Sequence, residues 1–355
     1  MNLILGQYVL GDGLKKIKSE FNFFSNIYMY QSGDKLLSKV KNSVIPYLSS
    51  AFGKKLIHIY ECDNRLLNFK MENIYNFFLN HGWGVKKSPG IAEIQSKKNL
   101  TSWRRLKKKT DYVICYNDFD ASYFFEHELL NDIPSPKFVP LGHPRNDFLI
   151  DYKNEENFLK NQKKRLGIRP DAEVILFAPT HREPRSFGGK YDKQILELHL
   201  KELSLINKIC NEKNIYILYR PHYLTNENIR TNFSNIILVD SEKEPDPRPL
   251  MLISDILITD YSSIYVDYLL LERPIVFYQP DLETYQNKLR GLVVDPNNII
   301  HFPGPKIEKL ADIFDLNNRD FEKFDLVKSK KFFHKYSDNN SLGRLVNFIK
   351  NTFSE

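Results

Sequence analysis

At 355 residues the chain is long enough for two domains, and 42% hydrophobic residues can build a core for each. Lys and Arg number 51 against 44 Asp and Glu, and the resulting +7 suits an anionic ligand or membrane surface without singling out either. Cys62, Cys115 and Cys210 are scattered and form no Cys-x-x-Cys pair, which speaks against a disulfide framework or a zinc site and for a reducing compartment. No run approaches the ~18 apolar residues of a membrane span. The apolar start precedes its lysines, the reverse of a secretory signal. A cytoplasmic protein is expected, peripheral to the membrane at most.

Residues 3–10 and 23–30 are strand candidates, and 56–60 and 74–79 are clearer ones. The last runs into Asn80-His81-Gly82-Trp83-Gly84-Val85-Lys86-Lys87. A histidine in a glycine-flanked turn is open to acid/base work, although a plain turn histidine fits as well. Residues 97–109 gather Lys and Arg around Trp103. Such a stretch can lie on an anionic membrane or be a solvated helix face. No zinc-finger, RNA-recognition or helix-turn-helix pattern accompanies it, so nucleic acid is not an expected partner. Residues 112–116 and 138–141 are further strands. Asp118-Phe119-Asp120 is read as a loop or helix cap, and His143 and Arg145 are expected to face the same cleft as His81.

The charged stretch 151–172, with a helix near 158–166, reads as a linker between a domain of residues 1–150 and one of 173–325. Residues 326–355 read as closing helices. The second half alternates strands (174–177, 215–219, 236–239, 256–258, 274–278, 291–294) with helices, the pattern of parallel sheets in an α/β fold. Thr180 and Arg182, Arg220 and His222, and Asp260, Ser262 and Ser263 all follow strands. The carboxyl ends of such strands converge on one crevice. Ser262 and Ser263 precede a helix over 264–271, whose start offers N–H groups and hydroxyls to a phosphate. No P-loop, Gly-x-Ser-x-Gly elbow or His-Glu-x-x-His is present.

Taken in order, the motifs His81-Gly82-x-x-x-Lys86, Gly142-x-Pro144-Arg145-x-Asp147, Ala178-Pro179-Thr180-x-Arg182, Pro221-His222 and Ser254-Asp255-x-x-Ile258-Thr259-Asp260-Tyr261-Ser262-Ser263 form a series. Arg273-Pro274, Asp281-x-x-x-Tyr285, Arg290-Gly291, Pro303-Gly304 and Asp338-x-x-Ser341-x-x-Arg344 continue it. With them the chain resembles the CDP-glycerol glycerophosphotransferases, which include teichoic-acid primases, polymerases and capsule-building relatives. The resemblance covers residues 75–345. It departs at His181, where the family often has Trp, and at Asn339-Asn340, where a Gly is usual.

The resemblance implies a GT-B-like fold of two Rossmann-like domains with an interdomain cleft. It also implies a CDP-alditol donor and a lipid-linked or polymer acceptor. His81 would be the base and His222 would face the donor diphosphate. Lys86, Arg182, Thr259, Asp260, Ser262, Ser263, Arg273 and Arg290 would bind substrate. Attack of a hydroxyl on the outer phosphorus, with CMP leaving, needs such a base and charge neutralisation rather than covalent work by the protein. Use of Mg²⁺ is left open. A GT-B nucleotide-sugar glycosyltransferase or epimerase, and a degenerate binding protein, are the other readings.

Overall fold

A computed structural model describes residues 2–7, 26–31, 53, 55–60, 72–79, 84–87, 97–123, 128–182, 190–222, 233–241 and 244–353. Two compact units divide the chain: residues 1–83, 97–148 and 333–355 form the first, and 84–96 and 149–332 the second.

The first unit holds a parallel sheet in the order β2-β1-β3-β4-β5-β6. Its strands are β1 Asn2–Gln7, β2 Asn26–Gln31, β3 Leu56–Tyr60, β4 Ile74–Phe78, β5 Tyr112–Cys115 and β6 Lys137–Pro140. β3 is buried throughout and β4 nearly so. Their near-continuous apolar runs suit a sheet covered on both faces. Helix α1 (Lys97–Lys109) is the basic stretch. Lys107 and Lys109 are buried, Lys107 Nζ donating to Leu130 O at 2.9 Å and Lys109 lying over the Tyr60 ring. Part of the expected solvated or membrane-facing charge is thus packed inside the unit, and Lys97, Arg105 and Lys108 remain exposed.

The second unit holds a parallel sheet in the order β12-β11-β10-β7-β8-β9. Its strands are β7 Glu173–Phe177, β8 Ile215–Tyr219, β9 Ile236–Leu238, β10 Ile256–Thr259, β11 Ile275–Tyr278 and β12 Lys306–Ile307. Read from the β9 edge, the third, second, first, fourth, fifth and sixth strands of the unit follow one another. That is the dinucleotide-fold order, in which the direction of winding reverses between β7 and β10.

Helix α2 (Glu156–Arg165) belongs to the residues expected to be a linker, but it lies in the second unit. Arg165 pairs with Glu244, Lys163 Nζ reaches Ala172 O at 3.0 Å, and Ile168 and Ala172 are buried. The charged composition there is the outer face of a packed helix. Helix α3 (Lys190–Glu212) turns Leu196, His199, Leu203, Ile206 and Cys210 inward at helical spacing. Helix α4 (Arg248–Ile253) leads into β10.

After β10, α5 (Ile264–Tyr268) is shorter than the helix expected over 264–271. A 3₁₀ turn over Leu269–Leu271 replaces its last part and ends at Glu272, whose φ is 55°. Residues 291–294 are not a sheet strand. The edge is taken by β12, because a Cβ at Gly304 would lie 1.9 Å from Ile275 O and only glycine lets the chain approach β11 there. Leu292 instead forms an isolated antiparallel bridge with Lys86.

The chain returns to the first unit at residue 333. Helix α6 (Ser341–Phe353) packs Leu342, Leu345, Val346, Ile349 and Phe353 into the same core as Ile57, Ile59, Phe77 and Ile114.

Candidate active site

The carboxyl ends of β7 and β10 flank the winding reversal of the second sheet, and they are stitched together. Ala178 N donates to Ile258 O at 2.9 Å, and Thr259 Oγ1 donates to Ala178 O at 2.7 Å. Asp260 Oδ1 accepts from the backbone N–H groups of Thr180, Tyr261 and Ser262. Its Oδ2 accepts from Arg182 Nη1. Thr259 and Asp260 are fully buried.

Arg182 is equally buried. Nε and Nη2 bond the two oxygens of Asp281 at 2.7 and 3.1 Å, and Nη1 also donates to Thr180 O. Tyr261 and Tyr285, stacked at 3.8 Å, flank the guanidinium, with its carbon 5.1 Å from the Tyr261 ring. Burial works against the charge on Arg182, but the Asp260 and Asp281 carboxylates outweigh it and raise its pKa. Burial would raise that of Asp260, and Arg182 together with the backbone donors overcomes this and holds it below the usual carboxylate range. Arg182 therefore meets two carboxylates within the protein, and the cluster offers no surplus positive charge to a phosphate. It fixes the strand ends on which other groups stand.

Those other groups are Ser262, Ser263 and His222, all half-buried. The Ser262 hydroxyl accepts weakly from Ile264 N at 3.5 Å, and Ser263 caps α5 without a side-chain hydrogen bond. Because α5 has a turn and a half, it contributes local N–H groups rather than a long macrodipole. His222 follows β8 and lies with Thr180, Asp192, His199, Tyr219 and Pro221 around a small cavity. Among the described residues, Thr180 Oγ1 and His199 Nε2 have no hydrogen-bond partner there.

A short clasp lies over the same end. Lys87 N bonds Gly291 O at 3.1 Å, Val293 N bonds Val85 O at 2.8 Å, and Arg290 Nε bonds Lys87 O at 2.6 Å. Gly84 is so close to Ser263 that a Cβ on it would stand 3.3 Å from the serine Cα and Cβ. Lys86 and Arg290 both belong to this clasp, whose first residue, Gly84, meets Ser263. His81 lies outside the described residues.

A family model for CDP-glycerol:poly(glycerophosphate) glycerophosphotransferase matches residues 32–351. The chain belongs to this glycerophosphotransferase family. A teichoic acid poly(glycerol phosphate) polymerase of Bacillus spizizenii is 39% identical over 250 residues, 66% of this chain and 58% of that protein. The chain thus spans little more than half the length of that relative. A teichoic acid glycerol-phosphate primase of Bacillus subtilis is 28% identical over 361 residues, 95% of this chain and 87% of its own. The structure of the wall teichoic acid polymerase TagF matches with a TM-score of 0.70 at 22% identity, covering 99% of this chain and 89% of that one. The GT-B-like α/β architecture expected from the sequence is therefore the fold of this family member.

Several glycerophosphotransferase motifs serve the scaffold here. Arg273, expected to bind substrate, bonds backbone carbonyls within the second unit. It precedes β11 and so lies at the amino edge of a parallel sheet, opposite the site. Its Nη1 donates to Leu252 O at 2.7 Å and Ser254 O at 2.6 Å behind α4. Arg220 likewise turns away, bonding Val239 O and Glu244 O.

In the first unit His143 and Arg145 pack around Tyr116. Both are buried, His143 stacked on Tyr116 and Arg145 Nη2 bonded to the Tyr116 hydroxyl at 2.9 Å. Asp147 accepts from Ser341 N and Leu342 N at 3.0 Å, and Arg344 Nε donates to Leu141 O. The Gly142–Asp147 and Asp338–Arg344 motifs therefore meet each other and dock α6. Asp120 is a helix-start residue, bonded to Tyr116 N and Asn117 Oδ1.

Sequence reasoning missed His199 and Asp192, which the helical spacing of α3 could have turned toward the strand ends. It also gave Asp281 no role beyond a motif position. Among the described residues no group of three His, Cys, Asp or Glu is gathered as metal ligands.

Proposed function

We propose that this protein transfers glycerol phosphate from CDP-glycerol to a hydroxyl of a teichoic-acid-like polymer or its lipid-linked primer, releasing CMP. The observation that carries the reading is membership of the glycerophosphotransferase family across nearly the whole chain. The polar groups at the β7/β10 reversal, where α/β sheets take nucleotides, support it. The acceptor oxygen attacks the outer phosphorus. The bond from that phosphorus to the bridging oxygen breaks, and CMP leaves with the electron pair. His81 takes the hydroxyl proton, a role that typically contributes about 10²–10⁴-fold. It stands three residues before Gly84 in the chain. His222, Ser262 and Ser263 bond the diphosphate, with Lys86 and Arg290 beside them. Exposed Lys97, Arg105 and Lys108 on α1 suit an anionic acceptor or the membrane that carries it.

The test is CMP release from CDP-glycerol and CDP-ribitol, with and without a lipid-linked oligo(glycerol phosphate), for wild type and His81→Ala. Acceptor-dependent release with CDP-glycerol, lost in His81→Ala while CDP-glycerol binding persists, is expected. Turnover of a UDP-sugar in place of either donor would move the protein to the glycosyltransferase reading. Wild-type turnover by His81→Ala would remove the base assignment.

A further inference from the structure

We propose that His181, held by Asp192, is a positioning residue that sets the ring of His222. The inference rests on reading His222 as a group that faces the donor diphosphate. β7 and β8 are neighbours with Phe177 opposite Tyr219, so the residues that follow them leave the sheet side by side. The His181 and His222 rings stack there, with centroids 5.5 Å apart and planes 23° apart.

Adjacent strand ends alone could bring two rings together. What marks this pair as built is the carboxylate behind it. Asp192, near the start of α3, accepts from Arg182 N at 2.6 Å through Oδ1, and its Oδ2 touches His181 Nδ1, a buried ring nitrogen that, like Nε2, makes no regular hydrogen bond. The two side chains are only 13–14% exposed. A carboxylate withdrawn from water to that extent needs partners, and Asp192 finds them in two consecutive residues. Its contact with the backbone of one and the ring of the other fixes the edge of the imidazole and leaves its face to His222. Thr180, the preceding residue, is in turn locked to Asp260. A chain of contacts thus runs from the buried Arg182 cluster through Asp192 and His181 to the half-buried His222.

The role is orientation, so its loss should appear in turnover more than in donor binding. Small misplacement of a reacting group can cost up to about 10²-fold. His181→Asn keeps a polar group for Asp192 but removes the ring, and His181→Phe keeps a ring to stack on. In the CDP-glycerol assay with lipid-linked oligo(glycerol phosphate), His181→Asn is expected to lower kcat about 10-fold or more with donor KM changed by less than about 3-fold. His181→Phe is expected to recover most of that loss. In a His222→Ala background His181→Asn should have no further effect, since residues acting as a unit are not additive. Independently of activity, the ring C–H resonances of His222 should lose their ring-current shift in His181→Asn and keep one in His181→Phe.

Equal kcat in the Asn and Phe variants, whether normal or reduced, would overturn the proposal, as would His222 resonances indifferent to His181→Asn. An active His222→Ala enzyme would instead remove the reading of His222 on which the proposal stands, and the resonances would still report whether the rings are coupled.

Discussion

Arg182 and Arg273 show how one residue type divides between two structural duties at opposite edges of a parallel sheet. Arg182 is wholly enclosed between Asp260 and Asp281. Removing one partner of a buried ion pair leaves uncompensated charge, typically at a cost of about 3–5 kcal/mol. Arg182→Ala should therefore lower the urea midpoint severely, and donor binding should fail because the fold at the strand ends fails. Arg273→Ala should remove hydrogen bonds from a charged donor to the carbonyls behind α4, a loss of about 1–3 kcal/mol, with CDP-glycerol affinity unchanged in the fraction that folds. A stable Arg182→Ala protein with only a raised donor KM would restore Arg182 as a substrate ligand.

The amino-acid order shows that cations follow or precede strands, and the edge occupied by Arg273 was legible from its place before β11. Whether a cation is already neutralised was not legible. Asp281 lies 99 residues from Arg182, and no local spacing links them.

At the scale of elements, most strands were readable because runs such as Val174–Phe177, and Leu56–Tyr60 apart from His58, are apolar without alternation, as strands buried on both faces tend to be. Residues 291–294 carry a similar apolar signal for a different reason. Leu292 is buried, yet it pairs with Lys86 in the clasp rather than with β11, and a periodicity argument cannot distinguish those partners.

The clasp also makes Gly84 more than a turn residue. Its backbone runs against Ser263, and a Cβ would stand at 3.3 Å, closer than packed side chains ordinarily allow. Gly84→Val should push the 84–87 segment away from the Ser263 turn and disturb the bond from Arg290 to Lys87 O. Overpacking typically costs about 1–3 kcal/mol. The expected outcome is a folded protein with a several-fold higher donor KM, measured beside Gly84→Ala as the milder step. Equal donor KM in wild type, Ala and Val proteins would show that the clasp has no bearing on the donor.

Over the whole molecule, each unit encloses a histidine that is neutral when folded. Burial pushes His58 in the first unit down to about 3, with the Lys109 charge adding to this and the hydrogen bond to Asn76 opposing it. Burial, reinforced by the Arg182 charge, pushes His199 in the second unit down to about 3 as well. The unfolded chain protonates both near the ordinary value of about 6.5. Between that pH and 3 the unfolded state binds protons that the folded state refuses. Stability is therefore fully present above about 6.5 and falls as the solution is acidified, with each group contributing a slope of up to about 1.4 kcal/mol per pH unit. Asp260, held below its usual range, adds a loss that begins only below about pH 4.

The two units need not unfold together, and the sequence provides a way to separate them. Trp103, on α1, lies in the first unit, so in a Trp83→Phe background its fluorescence follows that unit while far-ultraviolet circular dichroism follows both. Replacing His58 by Gln should flatten the acid dependence of the fluorescence midpoint between pH 6.5 and 5, and His199→Gln should flatten only the dichroism transition that fluorescence does not see. A fluorescence midpoint whose pH slope is unchanged in His58→Gln would place the acid sensitivity of the first unit on other groups. A slope altered by His199→Gln would mean that the two units unfold as one.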